Sequence, residues 1–256
     1  MGRLLSGDIG IVAEPRAARA SQIRPSGRLR FADGSRPGFK GLLRQTGARS
    51  LTTFYRRMLF MSYQLDGPEI PIYTPSVPVE YAELQSSDLD AYLRFRPASD
   101  INDLRERLAI GHRCFVCWHD GEIVDACWAA TTDVRVPYMR RYLRLTRGDV
   151  YSFDSYTDPR YRGHGVYMAR NSFQARLNRS EGLKRSVALV AYENYAAWLI
   201  LSRSGLKTLG TYHYVRLPGE GICWTTAIPG QTLPDLSADS STTVASRRSM
   251  VEASEA

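Results

Sequence analysis

The stretch Thr157-Asp158-Pro159-Arg160-Tyr161-Arg162-Gly163-His164-Gly165-Val166-Tyr167 holds the residue types that bind an anion through the backbone. Gly163 and Gly165 let the chain turn tightly and approach a ligand with no side chain between. The residues from Gly165 to about Asn178 read as a helix, and the first N–H groups of a helix have no partner inside it. Such a terminus attracts phosphate, and Arg162 adds charge beside it. A plain strand-to-helix turn is the simpler reading of the glycines alone. Two rival phosphate loops are ruled out by spacing. The Walker pattern needs Gly-Lys-Ser/Thr, which is absent. The dinucleotide fingerprint needs a third glycine three residues on, where this chain has Met168.

The elements that must position this loop follow from the apolar pattern. Val79 to Leu84 reads as a strand. A helix capped by Ser86 or Ser87 runs to about Phe95, with Asp88 and Asp90 in its first turn. A second helix covers about Asp100 to Ile110. Cys114 to Trp118 and Ile123 to Ala130 form a hairpin around Asp120-Gly121, a strong turn signal. Val134 to Leu145 is an extension. Val150 to Thr157 is a long strand, Ser186 to Val190 a short buried one, and Asn194 to about Ser204 a helix. Leu206 to Val215 and Ile222 to Thr226 finish as strands. Strand, two helices, three strands, helix, strand, helix and two strands imply an α/β mixed sheet with helices on its faces.

The loop resembles the pyrophosphate-binding motif of the GNAT acyltransferases, Q/R-x-x-G-x-G/A after the fourth strand. One register uses Arg162 and Gly165, with Tyr167 where the family prefers Gly or Ala. Another uses Arg160, Gly163 and Gly165. The family also opens a later helix with N-x-x-A-x-x-x-Y-x-x-x-G-F. Here Asn194, Ala197 and Gly205 keep those spacings, with Leu206 in place of Phe. The resemblance spans roughly residues 77–228. It implies a GNAT-like acyl-CoA N-acyltransferase fold with splayed central strands, and acetyl-CoA as co-substrate. It further implies that Tyr156 and Thr157 pair with the pantetheine arm. Arg162, Gly163, His164, Gly165, Val166 and Tyr167 would hold the pyrophosphate, and Asn194 would sit near the thioester. The acceptor would be a primary amine on a small molecule or amino sugar, acetylated by direct attack in a ternary complex.

The sequence departs from the family where catalysis is concerned. The Tyr that would protonate the departing thiolate is Leu201 here, and Ser202, Tyr192 and Tyr195 are the nearby hydroxyls. Some relatives carry a basic Glu or His eight or six residues before the proline. Those positions are Tyr151 and Phe153. Asp154 is the acid within the strand, placed by alternation on the opposite face unless a bulge intervenes. Tyr151, Asp154 and Ser202 are therefore the candidate catalytic residues. A catalytically weak acyl-CoA-binding module is the second reading.

The rest of the chain is read from composition. Its 256 residues carry a net charge of +8, almost all from arginine, which helps capture a polyanion. Nucleic acid is not among the expected partners. The Arg-rich leader keeps that class, and membrane-surface binding, open as a further alternative. Residues 1–40 and 229–256 are polar and aperiodic and read as disordered. Residues 41–76 read as a basic amphipathic segment and a Pro-rich linker. The part from 42 to 63 lies near helical spacing and either packs on the domain beside it or touches an anionic membrane. The five arginines between Thr132 and Arg147 could read an anionic acceptor or form a solvated edge. Cys114 and Cys117 would face opposite ways on a strand, so no metal is expected. Four cysteines without a secretory leader point to a reduced cytoplasm.

Overall fold

The computed structural model describes residues 54–217 and 221–238. The strands are β1 (Tyr55–Gln64), β2 (Glu80–Glu83), β3 (Arg113–His119), β4 (Glu122–Ala130), β5 (Val134–Val136), β6 (Arg141–Leu143), β7 (Asp149–Thr157), β8 (Arg185–Ala191), β9 (Lys207–Val215), β10 (Ile222–Ala227) and β11 (Leu236–Ala238). The helices are α1 (Leu89–Phe95), α2 (Ile101–Ala109), α3 (Val166–Ser180) and α4 (Tyr195–Arg203).

Eight strands form one open sheet in the order β10-β9-β1-β8-β7-β4-β3-β2. Every neighbouring pair is antiparallel except β7 with β8, which α3 connects as a crossover. The fold is thus the mixed α/β sheet expected. The Asp120-Gly121 turn takes positive φ at both residues, 49° and 77°, as a tight hairpin requires. β4 is buried from Ile123 to Ala130 because both of its faces are covered. Val150, Ala129 and Phe115 pack under α3, and Ala188 and Val190 under α4. On the other face, Trp128, Cys114 and Val116 pack against α1 and α2. Tyr151, Val187 and Phe60 pack there against β5 and β6.

Three expectations need correction. Residues 55–64 are a strand, where the spacing of 42–63 suggested a helix. Met58, Phe60 and Met61 are buried, and β1 pairs with β8 on one side and β9 on the other. Two open strand edges offer hydrogen bonds along the whole segment, and that long-range pairing overrides the local period. The domain therefore begins by residue 55, not 77. The polar tail is not wholly without structure, because β11 pairs with β6 through Leu236 and Leu143. The Tyr212 hydroxyl also donates to the Pro234 carbonyl at 2.5 Å. The extension at 134–145 is a separate three-stranded sheet, β11-β6-β5, and not part of the main one. Residues 1–40, the segment 41–53 and residues 239–256 lie outside the described residues.

Candidate acyl-CoA cleft

β7 and β8 run together only from Asp149 to Ser152, opposite Arg185 to Ala188. Beyond that point they separate. A cleft of about 850 Å³ opens between them, lined by β7 from Ser152 onward, the 161–168 loop and helix start, β8 and α4.

The cause of the splay is visible in the register of β7 on β4. Ala126 faces Tyr156 while Trp128 faces Phe153, so β7 holds one residue more than β4 across the same interval. This is a bulge, and Asp154 within it adopts φ 48°. A bulge bends its strand and leaves the extra residue outside the ladder. β7 thus follows β4 and leaves β8.

A buried polar network fixes the bulge from the α3 side. Arg170 is fully buried and donates from Nε to Asp125 at 3.1 Å. Its two other nitrogens donate to Gln174 Oε1 at 2.9 Å and Ser155 Oγ at 2.8 Å. Thr157 donates to the second Asp125 oxygen at 2.8 Å, and Gln174 to Ser152 at 3.1 Å. Burial pushes the Asp125 carboxyl up, against the opposing pull of Arg170 and Thr157. The network ties α3 to β4 and to three residues of β7. Its signal was present in the sequence: Asp125 inside an apolar strand, and Arg170, Gln174 and Asn178 at helical spacing on α3.

The loop is pinned at both ends. Asp158 accepts from the Arg160 N–H at 2.8 Å, and Asp158 N–H donates to Val124 O at 2.9 Å. Tyr161 and Val166 pack with Cys117, Val124 and Val79. Between them Gly163 and Gly165 take φ 82° and 78°. A Cβ on Gly165 would lie 3.5 Å from Pro75 Cα, whereas one on Gly163 would meet nothing within 4 Å. No side chain caps the start of α3.

Of the residues expected at the cofactor, Tyr156, Thr157, Arg162, Gly163, Gly165, Val166, Tyr167 and Asn194 line the cleft. His164 does not. Its Nδ1 lies 2.8 Å from Ser76 Oγ and its carbonyl accepts from Ser76 N–H, so this residue fastens the loop from behind. Arg162 is exposed and donates to Thr157 O at 3.2 Å. Asn194 caps α4 by accepting from Ala197 N–H at 3.2 Å. Tyr167 enters the cleft with the Arg170 guanidinium 4.9 Å from its ring centre.

The catalytic candidates fare differently. Tyr151 is 4% exposed and belongs to the core beneath β5 and β6, stacked on Phe153 at 5.4 Å. It is not among the residues lining the cleft, because the core under β5 and β6 encloses it. Ser202 is also missing from that lining, while Ala197, Ile200 and Leu201 belong to it. One residue past Leu201 on a helix turns about 100° away. Asp154 does reach the cleft, since the bulge intervenes. Both its oxygens are engaged, by Arg96 at 3.4 Å and Arg107 at 2.8 Å. Behind Phe153 lies His112, 7% exposed, with neither ring nitrogen partnered. Burial and the nearby Arg107 push its pKa down. Cys114 and Cys117 fall into different core clusters, on opposite faces of β3.

No protein-family model and no curated protein matches the sequence. Solved structures do. A Drosophila protein aligns with 75% of this chain and 59% of its own at 11% identity and TM-score 0.44. A GCN5-related N-acetyltransferase from Sphaerobacter thermophilus aligns over 76% and 58% at 15% identity and 0.44. A glucosamine N-acetyltransferase region of a fungal multi-domain β-N-acetylglucosaminidase aligns over 73% and 24% at 15% and 0.47. Several of these structural neighbours are GNAT acetyltransferases by name. The chain spans less than two thirds of the length of the Drosophila and Sphaerobacter chains. What the cleft can do is argued below from its own residues.

Proposed function

We propose that this chain is an acyl-CoA-dependent N-acyltransferase that passes an acetyl group to a primary amine of a small molecule or amino sugar. The observation that carries the reading is the wedge between β7 and β8. At one end stand an uncapped helix start, Gly163, Gly165 and Arg162, suited to a pyrophosphate. Along the middle, β7 offers backbone beside Tyr156 and Thr157. At the inner end Ala197, Leu201 and Leu206 give an apolar wall for a thioester. A long co-substrate with a polyanionic end and an apolar reacting end fits that sequence of surfaces.

In this reading the bulge N–H groups polarise the thioester carbonyl where charge develops during attack. The cleft holds the amine and the carbonyl together, and orientation supplies much of the rate. Asp154 is the carboxylate among the cleft-lining residues, and it accepts the amine proton directly or through water. No phenol occupies the Leu201 position, and a thiolate leaves without help. We also place the reaction in the cytoplasm, where the cysteines stay reduced. Leu201 and the arginine partners of Asp154 favour a second reading, an acyl-CoA-binding module without turnover. Binding of acetyl-CoA with no thiol release from a panel of amines would select it.

The test of the cleft is a thermal shift. Acetyl-CoA at a hundred times its Kd should stabilise the native state by about 2.7 kcal/mol. Gly165→Asp puts negative charge beside the helix start and a side chain against Pro75. The shift should vanish in that variant. An undiminished shift in folded Gly165→Asp protein would remove the pyrophosphate assignment.

A further inference from the structure

A second, smaller cavity of about 210 Å³ lies at the ends of β1 and β9, under the turn between β5 and β6. It is lined by Arg56, Pro137, Tyr138, Arg140, Tyr214 and Arg216. Arg56 pairs across the strands with Tyr214, and Arg216 lies two residues on, so all three point to one face. That face carries Met58, Phe60 and Tyr151. The turn above contributes Tyr138 and Arg140.

Three arginines line this cavity, and no described residue contributes a carboxylate to it. Like charges in one partly enclosed space repel, and an anion between them relieves that cost. The neighbouring arginines are committed elsewhere. Arg144 pairs with Asp133, and Arg141 donates to the Gly221 carbonyl at 2.9 Å. Arg140 also sits at φ 49°, a left-handed conformation that a non-glycine residue adopts at a cost. At roughly 30 Å³ per water molecule, the volume suits a phosphate or carboxylate group and not a nucleotide.

The cavity is close to the reacting end of the cleft. Met58 pairs with Ala191, a cleft residue, and Arg56 stands two residues further along β1. Two residues of about 3.3 Å and one strand spacing of about 4.8 Å separate Arg56 from Ala191 by roughly 8 Å. Tyr151 stacks on the cleft residue Phe153. Its hydroxyl and that of Tyr138 are hydrogen-bonded.

We propose that the Arg56–Arg140–Arg216 pocket holds an oxyanion carried by the acceptor, so that the acceptor is an anionic amine long enough to span from the cleft to a backbone about 8 Å away. The proposal rests on the acyltransferase reading. Guanidinium groups suit either oxyanion, since both accept paired N–H donors.

The experiment has two arms. In the first, inorganic phosphate is titrated at constant ionic strength into the protein, alone and saturated with acetyl-CoA. Wild type should show saturable stabilisation in both cases. Arg56→Gln with Arg140→Gln should weaken it by about tenfold or more, since one tenfold step needs only about 1.4 kcal/mol of lost charge interaction. The acetyl-CoA shift of that variant should be unchanged. In the second arm, thiol release is followed with glucosamine, glucosamine 6-phosphate and 6-aminohexanoate as acceptors. The anionic amine used by wild type should suffer a raised KM in the variant, with kcat little changed. Which of the two anionic amines is used separates phosphate from carboxylate. Phosphate stabilisation that acetyl-CoA abolishes, or that survives both substitutions, would overturn the pocket. So would equal use of a neutral amine. If wild type shows no acetyl-CoA shift while phosphate binding depends on the arginines, the function reading fails and the anion site stands.

Discussion

Arg170 and the arginines of the small pocket are one residue type in opposite situations. Arg170 is fully buried, and each of its three nitrogens donates to a named partner, Asp125, Gln174 or Ser155. Arg56, Arg140 and Arg216 border an open cavity to which no described residue contributes a carboxylate. Burying a guanidinium costs several kcal/mol unless geometry and hydrogen bonds compensate, so a cation persists there only with its partners complete. What it provides is position. It holds Ser155 of the bulge and, through Asp125, Thr157 at the end of β7. No ion pair with another described residue engages the open arginines, which suits them to a ligand. A filled hydrogen-bond inventory marks the arginine that builds a site, and an open one marks the arginines that read what enters it.

The comparison breaks most visibly if Arg170 is removed. Arg170→Met leaves Asp125 buried without its cation, and such a loss costs about 3–5 kcal/mol. Replacing Asp125 as well, with Leu, should recover most of that, because the uncompensated charge goes too. The acetyl-CoA shift should stay reduced in the double variant, since nothing then ties Ser155 to α3. The pocket variants Arg56→Gln and Arg140→Gln should stay within about 0.5 kcal/mol of wild type, as surface changes do. Urea unfolding of all four proteins decides it. A wild-type midpoint for Arg170→Met would mean that the pair contributes no stability.

What was legible in the sequence divides along the same line. Elements whose signal is local appeared at their places: the Asp120-Gly121 hairpin, the loop at Gly163 and Gly165, and the helix capped by Asn194. The β7–β8 gap followed from the resemblance. β1 was misread because Leu51, Phe54, Tyr55, Met58 and Leu59 lie near helical spacing, while its pairing partners are over a hundred residues away. Tyr151 and Ser202 were placed by counting from a proline and an asparagine. Counting does not say which face a side chain takes once a strand or helix is seated. The bulge at Asp154 escapes a period-two reading because one extra residue inverts the faces beyond it.

His112 lies between the two extremes, buried like Arg170 but with neither nitrogen partnered. Its pKa is lowered by burial and by Arg107. In the window between that lowered value and the ordinary value of about 6.5, the unfolded chain binds more protons than the folded one. Stability contributed by keeping the ring neutral is therefore present above the window and is lost as pH falls through it. Unfolding midpoints measured from about pH 7.5 to pH 5, across the ordinary histidine range, should decline toward acid. The decline should be shallower in His112→Leu. An identical slope in both proteins would mean that the ring finds a partner or protonates freely in the folded state.

The smallest effect is expected at Tyr167, which shares the cleft face of Arg170. It is one of three phenols lining the cleft, with Tyr156 and Tyr161. Burial pushes its hydroxyl up, more than Arg170 pulls it down. The group therefore stays protonated through the working pH range, and its removal, not an alkaline limb, is the informative change. A thiol titrates near 8.5, so thiolate departs at neutral pH with little help. A general acid contributes about 10²–10⁴-fold where the leaving group needs one. Tyr167→Phe should consequently lower kcat by less than about tenfold, or 1.4 kcal/mol. Any change in KM for acetyl-CoA would reflect the altered loop wall. A fall of about a hundredfold or more at unchanged stability would place Tyr167 at the departing sulfur as its acid. The stability reading is essential here, because Tyr167→Phe also removes a neighbour of Arg170. Only a kcat loss without a shift in the urea midpoint separates proton donation from a disturbed ion pair.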